Sequence, residues 1–211
     1  MRTAPLMILA AALTLNAPLA RAIPSTGLED GSAPAAAAPA PQDSATYHEA
    51  LALMKQGDEL GTQPGAKAAY GSARAKLQSL TARSPQLAEA WNALGYTQRK
   101  LGAYDDALAS YGRALELRPG YPEALEYRGE AFLRLNRLQD AKQAYLDLFA
   151  TNRTIAATLL EAMKSWLGGQ RGKSQVEASE LTDFQEWVQE RSRIATQTAA
   201  LSRAGAASSW R

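Results

Sequence analysis

Cysteine is absent from this 211-residue chain. Disulfides, thiolate metal ligands and cysteine nucleophiles are excluded together, so stability must come from packing alone. Histidine occurs once, at His48. With no second histidine and no thiol, a zinc site would need carboxylates only, an uncommon donor set. No metal site and no cofactor is expected, and His48, beside Tyr47 and Glu49 on a predicted helix, reads as a solvated polar residue. Net charge is lacking too. The formal value is +2, but residues 1–22 contain Arg2 and Arg21 and no acid, which leaves 21 basic and 21 acidic residues in the remainder. A neutral chain has no electrostatic footprint for nucleic acid or for an anionic membrane surface.

Catalytic motifs are also missing. No G-x-S-x-G occurs. "GGQRGKS", Gly168 to Ser174, ends in Gly172-Lys173-Ser174 as a phosphate loop does, but the leading glycine would fall at Leu167 and no strand precedes it. Asp105-Asp106 is a carboxylate pair, yet it opens a predicted helix, where acids suit the positive dipole end, and Asp140 repeats Asp106. With no paired base and nucleophile, the chain reads as non-enzymatic. An accessory subunit or a small hydrolase using scattered carboxylates is the alternative.

The chain starts "MRTAPLMILAAALTLNAPLARAIPSTG". Arg2 supplies a positive n-region, Leu6 to Leu15 an apolar h-region, and Ala20-Arg21-Ala22 an A-x-A cleavage site, which predicts a signal peptide over 1–22 and a mature chain beginning at Ile23. A spanning anchor would need about twenty apolar residues, and Asn16, Pro18 and Arg21 interrupt the run. The expected destination is the periplasm or beyond, by the general secretion route, with no stable membrane anchor after cleavage. Residues 23–43 are rich in proline and alanine, with Leu28 as the large apolar residue after Pro24. Such a segment cannot bury enough surface to offset its ordering entropy and reads as a disordered linker.

The central part of the chain is periodic. Gly95, Leu101, Asp106, Ala107 and Tyr111 recur as Gly129, Leu135, Asp140, Ala141 and Tyr145, each thirty-four positions on. Trp91, Leu94 and Leu101 form one apolar stripe at helical spacing. Gly95 and Ala107 are small enough to let two helices approach, Gly102 permits a tight turn, Tyr111 and Ala114 face the next pair, and Pro119 stops the second helix. Together with Tyr104, these residues resemble the tetratricopeptide repeat almost position by position, a helix-turn-helix of thirty-four residues. The match is strong over 88–121. It is moderate over 122–153, where Leu125, Leu148 and Arg153 depart from the pattern. It is degenerate over 44–87, where a first helix near Ala45 to Glu59 carries Tyr47, Leu51 and Met54, and the loop Leu60 to Ala66 is longer than the pattern allows.

Beyond Arg153 the register frays. A helix ending at Gly168-Gly169 presents Ile155, Leu159, Met163 and Trp166. After a loop, a last helix runs from Thr182 to Ala204, with Thr182 and Gln185 as a capping box and Asp183 and Glu186 at the positive end. Phe184, Trp187, Val188, Ile194 and Leu201 share its face, interrupted by Arg191. Residues 154–204 are expected to cap the array, packing through Phe184, Trp187 and Val188 on the helix of Leu159, Met163 and Trp166; residues 205–211 read as a frayed tail. The predicted class is all-α, a helical-repeat solenoid of antiparallel pairs with a C-terminal capping helix.

The resemblance implies a function. In such solenoids the first helix of each pair lines a concave face that binds protein partners. It would present Glu89, Asn92, Tyr96 and Arg99 from one unit and Glu123, Glu126, Glu130 and Arg134 from the next. The expected role is an adaptor for a peptide or helix of an envelope protein. Family members that clamp C-terminal carboxylates use lysine, asparagine and arginine. Glu126 and Glu130 argue against such a clamp here and favour a ligand with basic or donor groups. A purely structural solenoid, its groove filled by its own last helix, is the further alternative.

Overall fold

In the computed structural model, residues 40–170 and 176–208 are described. The expected leader, residues 23–39 of the linker, the Gly172-Lys173-Ser174 ending and residues 209–211 lie outside the described residues. Eight helices and no strand occur among the described residues: α1 (Pro41–Leu60), α2 (Ala66–Arg83), α3 (Ala88–Lys100), α4 (Tyr104–Leu117), α5 (Pro122–Arg134), α6 (Leu138–Thr151), α7 (Arg153–Gly169) and α8 (Ala178–Ser208). Each packs against its neighbour in sequence, giving antiparallel pairs. The first helices of the pairs also pack on one another, α1 on α3, α3 on α5 and α5 on α7. This makes an inner layer of first helices, backed by α2, α4 and α6.

The period is visible in the backbone. α3 and α5 begin thirty-four positions apart, as do α4 and α6. Their turns are built alike. The Ala103 N–H donates to the Gln98 carbonyl at 2.9 Å, and one period later the Arg137 N–H donates to that of Phe132 at 2.9 Å. Both turns pass through a left-handed residue, Gly102 at φ 84° and Asn136 at φ 58°. Asn136 is the substitution that geometry tolerates best after glycine. Pro122 sits in the first turn of α5, where its missing N–H has no partner to lose.

Three apolar clusters fill the space between helices. Ala50, Leu77, Leu80, Ala90, Ala93 and Leu94 join α1, α2 and α3. Tyr111, Ala114, Ala124 and Ala131 join the strong repeat to the next, the contact expected of Tyr111 and Ala114. The largest cluster spans α5 to α8 and includes Leu159, Met163, Phe184 and Val188. Phe184 and Val188 are buried, and Trp187 packs at the cluster's edge. The Phe184 ring meets Trp166 at 5.6 Å and Trp187 meets Tyr145 at 5.4 Å, both edge-on. The last helix therefore packs as a cap, with Phe184 and Val188 in the cluster of α7 residues Leu159, Leu160 and Met163 as expected, while Trp187 reaches Tyr145 of α6. Arg191 interrupts its apolar face because its guanidinium lies over the Trp187 ring, 5.5 Å from the centroid.

Helix ends differ from expectation in three places. α1 starts at Pro41, not near Ala45, because proline is preorganised for the first turn. α8 starts at Ala178, and Thr182 is not its cap. The Thr182 hydroxyl donates back to the Ala178 carbonyl at 2.9 Å, one turn inside the helix, a local bond that competes with capping. α8 also continues through residues 205–208, which the sequence assigned to the tail. At α7 the cap is Asn152, whose Oδ1 accepts from the Ile155 N–H at 3.1 Å.

Candidate binding face

The inner layer carries two concavities. The first, about 330 Å³, lies between α1, α3 and α5. Tyr47, Leu51 and Met54 enter it from α1, Asn92 and Tyr96 from α3, and Glu123 and Tyr127 from α5. The α1 stripe thus lines the concavity, and Tyr47 and Met54 also pack at the edge of the cluster that buried Ala50 joins. The second, about 430 Å³, lies between α5 and α7 and is lined by Glu130, Arg134, Trp166 and Gln170 among others.

The eight residues expected on this face divide by environment. Glu123 and Arg134 are exposed, and no ion pair engages either among the described residues. Glu89 pairs with Arg118 at the end of α4 and lines neither concavity. Arg99 reaches from α3 to α5 and pairs with Glu130. Its guanidinium lies 5.3 Å from the ring centroids of both Tyr96 and Tyr127, so cation–π contact adds to the ion pair. Glu126 is buried, 7% exposed, beneath the face that its spacing suggested it would line. Asn92 is 9% exposed, and its Oδ1 is shut off from solvent with no hydrogen-bond partner.

Sequence reasoning missed a second polar centre. Asp58 on α1 accepts hydrogen bonds from the Tyr70 and Tyr96 hydroxyls, each at 2.6 Å, and pairs with Lys100 at 2.9 Å. Burial opposes ionisation of Asp58, but these three donors outweigh it and hold its carboxyl below the usual range. The same burial and the same carboxylate push the Tyr96 phenol upward. A signal was present: Tyr47, Leu51, Met54 and Asp58 fall at helical spacing on one face. Tyr127 was missed as well. It completes a row of rings with Tyr70 and Tyr96, at 6.4 Å and 5.2 Å.

Glu126 has a distinct electrostatic position. Burial first, then the adjacent Glu130 charge, push its carboxyl up from 4.5 to about 7. A folded-state value above the unfolded one favours folding at low pH, and this advantage is lost as pH rises from about 4.5 through 7. Glu126→Gln mimics the protonated form. It is expected to melt with the parent near pH 4.5 and above it at pH 8, the gap opening across that window. Thermal melts at five pH values check this, and a gap independent of pH would contradict the assignment.

Comparison with known proteins agrees with the repeat reading. Residues 88–121 match the family model described as Tetratricopeptide repeat. No curated protein matches the sequence. Among solved structures, the chain is similar to the first TPR of Spaghetti (RPAP3) bound to the HSP90 peptide SRMEEVD. Identity is 19% over 56% of this chain and 94% of that one, with TM-score 0.43. It is also similar to the first TPR domain of the human RPAP3 protein, at 21% identity over 61% of this chain and 99% of that one, with TM-score 0.46. The matched segment is α3, α4 and the turns around them, the unit whose backbone recurs one period later. Residues 88–121 thus match a tetratricopeptide repeat, within an all-α array of antiparallel helix pairs.

Proposed function

We propose that this protein is a non-enzymatic adaptor that seats an extended peptide or a helix of a protein partner on the inner face of α1, α3 and α5. One observation carries the reading. Tyr47, Leu51 and Met54 of α1 line a concavity that also gathers Asn92, Tyr96 and Glu123, and Tyr47 and Met54 are left half-buried at the edge of the first cluster. Mixed apolar and polar linings of this sort bind ligands by burying apolar surface and fixing orientation with a few polar groups. A photo-crosslinking residue at position 51 tests it, with position 143 on the outer side of α6 as reference. Adducts to protein from position 51 and not from 143 are expected. Equal yields, or none at either, would remove the proposal.

The partner, on this reading, belongs to the bacterial envelope. Its support is the leader: a positive n-region, a ten-residue apolar stretch from Leu6 to Leu15, and the Ala20-Arg21-Ala22 site. Among the described residues no helix is long and apolar enough to cross a membrane. Protein exported from a Gram-negative host should begin at Ile23 by mass spectrometry. A product retaining Met1 in the membrane fraction would contradict export and cleavage.

A further inference from the structure

We propose that the concavity between α1, α3 and α5 is an anchor subsite for one bulky neutral side chain of the bound peptide, leucine, methionine or phenylalanine. The inference rests on the peptide-binding reading above and specifies the chemistry of one position in the ligand. Three observations carry it.

The first is apolar surface left partly open in a concave place. Leu51 is half-buried and lines the concavity, yet it belongs to none of the three apolar clusters. Tyr47 and Met54, also half-buried, meet the first cluster only at its edge and line the same space. Covering apolar surface is favourable in proportion to its area, and a concavity of about 330 Å³ admits one large side chain. The second observation is charge balance. Lys55 from α1 and Glu123 from α5 are both exposed and of opposite sign in the one lining. Asp58 is engaged by Lys100 and by two phenols. An entering cation would meet Lys55 and an entering carboxylate Glu123, so neither gains enough to offset its lost hydration. The acids that suggested a basic ligand are not open to one: Glu126 is buried and Glu130 pairs with Arg99.

The third observation is that the polar groups of the wall are committed to the protein itself. The Tyr96 hydroxyl donates to Asp58. Arg99 lies over the Tyr96 and Tyr127 rings, and the Lys100 ammonium is 5.5 Å from the Tyr96 centroid. The Asn92 oxygen is shut off from solvent. What the two rings add to the wall is therefore apolar carbon. The concavity between α5 and α7 is different, since Glu130, Arg134, Asn136, Ser165 and Gln170 contribute to its lining. A peptide crossing the inner face thus meets an apolar seat at the α1 end and a more polar surface beyond α5. An anchor side chain held in such a seat fixes the register of the rest.

The test uses the full chain and bead-bound nonapeptides. Their central residue is leucine, methionine, phenylalanine, alanine, glutamine, lysine or glutamate, and their flanks are randomised over alanine, serine, threonine and glutamine. Beads retaining the protein should be enriched roughly five-fold or more in leucine, methionine or phenylalanine centres over alanine, lysine and glutamate. Leu51→Gln changes a residue outside every apolar cluster and should cut that enrichment below about two-fold, with circular dichroism matching the parent. Leu146→Gln, at the exposed leucine of α6, should leave the enrichment intact, which separates the subsite from general stickiness of apolar peptides. Retention without preference among centres, or preference for lysine or glutamate, would overturn the anchor subsite and leave the peptide-binding face standing. Enrichment that survives Leu51→Gln, or that falls equally with Leu146→Gln, would place the apolar contact elsewhere and equally overturn it. Retention of no peptide would overturn the binding face itself, and the subsite with it.

Discussion

Gly95→Leu should lower the melting temperature sharply. A Cβ at Gly95 would lie 2.6 Å from Cε1 and 2.7 Å from Cδ1 of Tyr111. That ring cannot retreat, because Tyr111 is fully buried and packs into the following helix pair with Ala124 and Ala131. Overpacking of this kind costs about 1–3 kcal/mol, and more when the neighbours are fixed. Leucine adds three further carbons to the clash. Gly112 on α4 supplies the contrast. Nothing lies within 4 Å of a Cβ built there, so Gly112→Ala should stabilise by up to about 1 kcal/mol through helix propensity alone. The check is a pair of thermal melts. Similar shifts for the two variants would mean that α3 and α4 do not meet at Gly95.

The contrast between Gly95 and Gly112 bears on what the sequence could reveal. Gly95 was legible because it recurs at Gly129, and a small residue that returns at a fixed interval has a packing reason. In the structure that reason is not identical in the two units. Gly95 makes room for Tyr111, whereas Gly129 makes room for Leu159 of α7, 2.7 Å from a Cβ there. The repeat fixed where the helices meet, and the particular neighbour depended on the next element. Helix boundaries within the periodic region were legible for the same reason, since turn and cap recur with the backbone. Outside it, single local cues competed. Thr182 looked like a cap, but α8 had already begun at Ala178, and the hydroxyl turned back on its own helix.

The candidate face was legible only in part. Spacing placed eight residues on the inner helices, but spacing does not report depth. Glu126 is buried under the face, and Arg99 and Glu130 neutralise each other across it. These pairings are long-range, joining helices about thirty residues apart in sequence. The Asp58 cluster likewise needs α1, α2 and α3 in place before its donors converge. A periodic pattern names which helix faces inward. Which charges then find partners depends on side-chain reach between helices, and that is set by the packed structure.

Truncation after Gly169 should have the second large effect, and of a different kind. α8 closes the open end of an array that otherwise exposes the apolar side of its last helix. Phe184 is fully buried and Val188 nearly so, against α7 residues Leu159, Leu160 and Met163 that share their cluster. Phe184 alone should contribute roughly 1.5–3 kcal/mol by burial, and the Trp187–Tyr145 contact anchors the same helix to α6. Without α8 the remaining chain should melt earlier and self-associate, since the newly exposed surface is apolar and continuous. The strong repeat should survive, because its own cluster with Ala107, Tyr111 and Ala124 contains no α8 residue. Hydrogen exchange on the truncated protein separates these consequences. New exposure should concentrate in residues 155–167, the α7 surface that α8 covers, with protection retained through α3 and α4. Exposure appearing instead around Tyr96 and Glu130 would mean that α8 shields the inner face. Unchanged exchange in α7 would mean that the contact through Phe184 and Val188 does not stabilise the array.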